Sequence, residues 1–374
     1  MMNRREFLRA AGAISAGCMI PRTSELFASS SSSSGWRIFE VTTRVEVLNP
    51  AGVTRVWIPA ALIRETAFQK TIWNRFDCFG GRASLIENRE DALGILSAEF
   101  PQGIKPILIL TSRIAVRDYT VHFSAPARTT ALSIAESQHY LRSTKLLPTD
   151  GIVHETAMEI TRGKKTEIDK ARCLYHWIVD NTFRNPKVRG CGIGNIRAML
   201  EMKNFGGKCA DLNALYVGLA RAAGLPARDV YGIRVAKSKL GYRSLGTSGV
   251  NISKAQHCRA EVYLSDYGWV PVDPADVRKV ALEEPPGNRP IDDEMVIRAR
   301  ARLFGSWEMN WIAFNFAHDV VLPDSSGPAL AFLMYPQAET KEGRLDSLDP
   351  ENFKYEITAR ELPATEEGAD DASF

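Results

Sequence analysis

Cys209 follows Gly206-Gly207-Lys208 and opens a run in which Leu212, Leu215, Tyr216, Leu219, Ala220 and Ala223 recur at helical spacing. A cysteine in the first turn of a helix sits beside unpaired N–H groups and the positive end of the helix dipole, and both favour the thiolate. The glycines let other backbone come close. The same free amides point to where an oxyanion would develop beside the sulfur, and Lys208 adds a positive charge. A thiol nucleophile also needs a base within hydrogen-bond reach. His257 heads a strand-like run to Leu264, and Asp273 closes a second run from Gly268, with a turn around Ser265-Asp266-Tyr267-Gly268 between them. Antiparallel pairing across that turn brings His257 and Asp273 within a few rungs, close enough for the carboxylate to hold one imidazole nitrogen. The chemistry these residue types predict is acyl transfer through a thioester, with Cys209 as nucleophile, His257 as base and Asp273 as its orienter.

Cys191, Cys209, His257 and Cys258 also raise a soft-metal reading, since zinc favours thiolate and imidazole. Their spacing does not match short-loop zinc motifs, and strand alternation would point His257 and Cys258 to opposite faces, so neither metal nor cofactor is expected. His122, His139, His154, His176 and His318 are read as structural, with His318 in an aromatic-rich stretch that packs the C-terminal segment onto the core.

Several elements must hold these groups in place. From Trp36 to about Phe123 the pattern is strand-like: Phe39, Val41, Val45 and Val47 alternate with polar residues, and Val56–Pro59, Ile107–Leu110 and Ile114–Val116 repeat the character. A small β-sandwich fits that span. Helices are predicted over Gly151–Arg162, Thr166–Thr182 and a short stretch near Ile196–Met202, then from Cys209 to Gly224, where the glycine and Pro226 end it. Arg228–Val235 reads as a strand ahead of the His257 hairpin. Beyond Glu283-Glu284-Pro285-Pro286-Gly287, a helix at about Asp292–Phe304 and strands at Ala329–Tyr335 and Phe353–Ile357 are expected.

Gly207-x-Cys209-x-Asp211-x-x-x-Leu215, then Leu219-Ala220-Arg221-Ala222-Ala223-Gly224-Leu225-Pro226-Ala227-Arg228, resembles the core of the transglutaminase-like superfamily. His257-x-x-x-Glu261-Val262-Tyr263 and Tyr267-Gly268-Trp269-Val270-Pro271-Val272-Asp273-Pro274 continue the resemblance in the family's order of Cys, His, Asp. It implies an α+β fold with a papain-like core, here preceded by the small N-terminal β-sandwich. It also implies the same triad, in a hydrolase of amide or peptide bonds. The alternatives are a transglutaminase using the same residues and a peptide-binding module that has kept the fold. Many relatives carry Trp two residues after the His, where this chain has Arg259. The resemblance casts Arg228 and Glu261 as support, and leaves a second oxyanion donor open among Trp177, Asn204 and Gln256.

With that resemblance, the 374 residues are read as an export signal at 1–28, a serine-rich leader at 29–35, the sandwich at 36–130, the catalytic core at 131–284 and a C-terminal extension at 285–374 that packs on the core. Arg4-Arg5-Glu6-Phe7-Leu8 ahead of a short apolar stretch resembles a Tat-type signal, with cleavage after Ala28. That stretch is too short to span a bilayer, so a periplasmic or secreted protein with no membrane insertion is expected. Removal of the signal leaves Cys78, Cys173, Cys191, Cys209 and Cys258, an odd number, hence at least one free thiol. Net charge is only +3, from 47 Lys and Arg against 44 Asp and Glu, and no basic stripe is interleaved with aromatics, so nucleic acid is not an expected partner. The expected partner is a peptide or protein substrate.

Overall fold

The computed structural model describes residues 35–124 and 130–363, so the expected export signal and nearly all of the leader lie outside the described residues. Strand β1 (Arg37–Val47) buries Val41, Thr43, Val45 and Val47 and leaves Thr42, Arg44 and Glu46 partly open, the alternation of a half-buried strand. There follow β2 (Thr54–Pro59), β3 (Gln69–Phe79), β4 (Arg82–Asn88), β5 (Leu93–Phe100), β6 (Ile107–Val116) and β7 (Tyr119–Thr120). Next come α1 (Ile134–Leu141), α2 (Gly151–Ile160), α3 (Glu167–Asn181), β8 (Phe183–Arg184), α4 (Ile196–Glu201), β9 (Gly206–Gly207) and α5 (Cys209–Ala222). The core sheet begins with β10 (Ala227–Arg234), β11 (Gln256–Leu264) and β12 (Gly268–Val272), followed by α6 (Pro274–Glu283) and α7 (Glu294–Arg302). The chain continues through β13 (Ser306–Trp307), β14 (Trp311–Asn315), β15 (Gln337–Thr340), β16 (Gly343–Arg344) and β17 (Phe353–Leu362).

Two sheets form the N-terminal sandwich, in strand order β17-β1-β6-β3 and β16-β15-β2-β5-β4. They close on Val45, Ile58, Leu96, Phe100, Leu108 and Phe353. Burial of a large aliphatic or aromatic side chain contributes about 1.5–3 kcal/mol, which is enough to make this layer a core in its own right. The core sheet runs β12-β11-β10-β14, with α5 packed against β10 and β11. This is the α+β arrangement expected, a helix beginning with the thiol laid on an antiparallel sheet that carries the imidazole. Segment 285–374 supplies strands to each of these three larger sheets, β14 to the core, β15 and β16 to one sandwich layer and β17 to the other, and its β13 pairs with β7.

α5 differs from the one-sided helix its periodicity suggested, because every residue from Cys209 to Arg221 is buried. Its polar members are tolerated because each has partners. Asn213 donates to the carbonyl of Cys258 (2.8 Å) and Arg221 to that of Ala227 (2.8 Å). Arg228 and Glu261 form a buried ion pair at 2.7 Å, with the guanidinium lying over the rings of Trp269 and Phe316 at 3.9 and 3.7 Å. Residues 329–335, expected as a strand, make only an isolated bridge between Leu330 and Val320. Leu333 and Met334 are nonetheless fully buried, so the apolar pattern there reports burial without strand pairing. None of the described helices is long and apolar enough to cross a membrane.

Candidate active site

Gly206 and Gly207 pair in parallel with Phe183 and Arg184, which fixes the approach of the chain to the N-terminus of α5. A Cβ on Gly207 would come within 2.5 Å of Asp211 Cβ, so the close approach requires glycine. Asp211 caps the helix from its third position, accepting from Lys208 N at 2.9 Å through Oδ2. Through Oδ1 it also accepts from Ile193 N and Gly194 N, each at 2.9 Å. One carboxylate thereby pins the 190–194 loop onto the helix start, and Ala210 N reinforces it by donating to the carbonyl of Cys191 at 2.9 Å. Gly192 lies where the Asp211 carboxylate passes, at φ +100°, and any Cβ there would stand 2.0 Å from Oδ2.

This latch brings Cys191 to Cys209. Cys191, Cys258 and His257 all act on the Cys209 sulfur and together hold its thiol well below the usual pKa against the opposing effect of burial, while the Cys191 thiol itself donates to the carbonyl of Gln256 at 3.4 Å. Cys191 and Cys258 are pushed the other way: hydrogen bonding to Cys209 acts on Cys191 first, burial on Cys258 first. His257 and its neighbour Cys258 both act on this one sulfur. α5 packs directly on β11, so its first residue meets that strand at close range. All five cysteines among the described residues are free thiols.

His257 is 4% exposed, and its Nε2 lies 2.7 Å from Asp273 Oδ2. With Nε2 committed to that carboxylate, Nδ1 is the nitrogen left for the sulfur. Asp273 is the N-cap of α6, with Pro274 behind it. Its Oδ1 accepts from Asp276 N at 3.0 Å and from Asn213 Nδ2 at 3.2 Å, while Oδ2 serves the histidine. A second carboxylate, Asp276, has its Oδ1 3.4 Å from His257 Nε2 and takes Arg234 Nη2 on both oxygens, at 2.6 and 2.7 Å. Burial and Arg234 oppose protonation of His257, but Asp276 and Asp273 outweigh them, and its pKa is raised. Asp276 is held well below the carboxylate range, because Arg234, His257, Lys279 and Arg259 together outweigh the burial that opposes it. Burial and the neighbouring Asp276 push Asp273 up. Arg259 reaches to 3.7 Å of Asp273 Oδ2 and lies over the rings of Trp307 and Trp311; burial and the like charge of Arg234 bring its pKa down to about 10. Trp311 Nε1 donates to the carbonyl of His257 at 2.8 Å, tying the base to β14.

Cys209 and His257 lie in the wall of a cleft of about 680 Å³, together with Gln256, Tyr335 and Tyr355. Of the residues left open as a second oxyanion donor, only Gln256 lines this cleft, and its Nε2 donates to Ser253 O at 3.1 Å. Trp177 packs its ring on Phe205, and Asn204 accepts from Gly206 N. The remaining histidines lie elsewhere: His139 on Asp91 at 2.7 Å, His176 accepting from Arg300, His318 buried 3.3 Å from Asp229, and His122 and His154 exposed. Among the described residues, the group compact enough to hold a metal ion is His257, Asp273 and Asp276; the cysteines form no such group. Sequence reasoning missed Asp276, Arg234 and Asn213 as members of this site, and grouped Cys191 with Cys209 and His257 only in a metal reading that the spacing set aside. A signal for Asp276 was present, since Asp273-Pro274-x-Asp276 reads as a helix cap followed by an acidic third position.

Residues 154–274 match the family model of the transglutaminase-like superfamily. A Haemophilus influenzae protein that carries only the description "uncharacterized protein" is 34% identical over 349 residues, covering 87% of this chain and 92% of its own. Among solved structures, one from Cytophaga hutchinsonii, named provisionally as a cysteine protease, is 14% identical and covers 87% of this chain and 99% of that one, with a TM-score of 0.50. At that identity the likeness is one of fold. The periplasmic domain of TgpA from Pseudomonas aeruginosa, also 14% identical, covers 67% of this chain and 90% of that one at a TM-score of 0.36.

Proposed function

Because residues 154–274 belong to the transglutaminase-like superfamily, we propose that the protein is a cysteine hydrolase of amide or peptide bonds, with Cys209, His257 and Asp273 as its triad. The observation that carries the reading is the setting of one sulfur: Cys209 begins a buried helix and shares a cleft wall with His257, whose Nε2 is 2.7 Å from Asp273. The thiolate attacks an acyl carbon, and the carbonyl electron pair moves onto oxygen. The N–H of Cys209, first in its helix and without an acceptor among the described residues, is placed to receive that oxyanion. The carbonyl re-forms as the C–N bond breaks, and the imidazolium of His257 gives its proton to the departing amine, leaving a thioester. Water then attacks the thioester while His257 takes up one of its protons, and the sulfur leaves as thiolate. Asp273 holds the ring in the orientation and charge state that both half-reactions need. We further read the protein as exported, on the twin-arginine pattern at its start.

The test is the pH profile of Cys209 alkylation by iodoacetamide, with His257→Ala alongside. Rapid labelling near pH 6, slowed strongly by the substitution, is the expected result. Labelling that rises only near the pKa of an ordinary thiol, about 8.5, and is indifferent to His257 would sink the hydrolase reading in favour of a peptide-binding module.

A further inference from the structure

We propose that the cleft selects an anionic substrate, a peptide with a carboxylate close to the bond that Cys209 attacks. The proposal rests on the reading of Cys209 as nucleophile and adds the substrate class to it. The cleft walls carry Arg184, Arg189, Lys208, Lys254, Lys279 and Lys354, and no Asp or Glu among the described residues lines it. Composition does not account for this, because cationic and anionic residues are nearly equal in number over the chain, 47 against 44. Arg234 also reaches the cleft, but its charge is taken up by Asp276.

The partners of the other cations locate the surplus. Arg184 pairs with Glu283, which also lies 3.8 Å from Lys279, and Arg189 pairs with Asp346 at 2.6 Å. Lys208, Lys254 and Lys354 have no ion pair with any described residue. Lys279 is mostly covered, its side chain 18% exposed, and burial together with Arg234 works against its charge. An incoming anion would relieve that repulsion. The charges stand on both sides of the sulfur. Arg184 pairs with Gly207, Lys208 adjoins Cys209, and Lys279 projects from the helix that Asp273 caps. Across the cleft, Lys254 and Lys354 come from two segments joined by Ile252 N to Ile357 O at 2.8 Å and Ile357 N to Ser253 Oγ at 2.8 Å. Leu348, Tyr335 and Tyr355 supply apolar and amphipathic surface between the charges, which suits a peptide. A same-sign field in a low-dielectric cleft concentrates the opposite charge and speeds its arrival.

The experiment compares alkylation of Cys209 by iodoacetate and by iodoacetamide in the full chain, with the rate ratio normalised to N-acetylcysteine amide. The expected ratio is at least about tenfold above that of the free thiol at low salt. It should collapse towards the free-thiol value at 0.5 M NaCl, where the screening length is about 4–5 Å. Lys254→Gln with Lys354→Gln, both exposed positions and so compatible with folding, should lower the ratio about threefold or more. A normalised ratio near one overturns the proposal. Failure of the nucleophile reading is separate, since it shows as slow labelling by iodoacetamide itself at pH 6. Where the ratio is raised, protection of Cys209 distinguishes the source of the carboxylate. Protection by N-acetylglutamate amide beyond that by N-acetylglutaminamide means an acidic side chain, and protection by N-acetylglutamine beyond that baseline means a peptide C-terminus. Protection by neither overturns the peptide assignment.

Discussion

His257 faces two carboxylates, and their contributions separate in a way that a single substitution exposes. Asp273 orients the ring through a 2.7 Å hydrogen bond, while Asp276, at 3.4 Å, acts mainly as a fixed negative charge that keeps the imidazolium protonated. Removing a charge that raises a pKa lowers it, so Asp276→Asn should move the His257 titration to lower pH. We expect the downward shift to be read from the ring signals by NMR. An unmoved titration would show that Asp273 alone sets the protonation state. The meeting of Cys209, His257 and Asp273 in one place was legible from the sequence because each closes or opens an element whose limits are marked: glycines before the cysteine, a tight turn between the strands, a proline after the aspartate. Arg234 and Cys191 were not legible. Arg234 reaches Asp276 from a different strand, and Cys191 reaches the sulfur only because a loop is folded back, so no spacing along the chain encodes either meeting.

That folded loop shows how far elements depend on one another. Residues 190–194 have no secondary structure of their own and are held by Asp211 from the helix they adjoin. Gly192→Ala would place a methyl 2.0 Å from Asp211 Oδ2 at a φ of +100° that L-residues avoid. We expect a loss of about 3 kcal/mol or more, combining backbone strain and a broken cap, measured by urea denaturation, together with faster alkylation of Cys191. Wild-type stability and an unreactive Cys191 would mean that the loop is held by something other than this latch. Strands β1 and β6 and the helices over residues 151–181 could be read from periodicity, because each has one wet face and one dry one, whereas β3 was not read. Helices α1 and α6 escaped: α1 is a short, weakly apolar segment, and α6 begins on an aspartate already assigned to the strand before it. The signal at 329–335 was apolar content without a partner strand.

At the scale of the molecule, the described residues do not divide by sequence order. The core sheet is completed by β14, and the sandwich by β15, β16 and β17, all from the last ninety residues or so of the sequence. A fragment spanning residues 131–284 would leave β10 with an unpaired edge, expose the surface that Trp307 and Trp311 cover, and lose the Trp311 hydrogen bond to His257. We expect it to show no cooperative thermal transition by circular dichroism and rapid proteolysis; a sharp transition would mean that the core folds alone. The pairing of β17 with β1 joins nearly the two ends of the described chain, and Lys354 and Tyr355 on β17 also form part of the cleft. This has a consequence in time. Synthesis runs from the N-terminus, so Cys209, His257 and Asp273 leave the ribosome before the strand that finishes their surroundings. Until then β1 lacks one neighbour and the cleft lacks a wall. A nascent chain therefore possesses its thiol before it possesses a place to hold a substrate, and the assembled cleft belongs only to the chain whose final strand has been made.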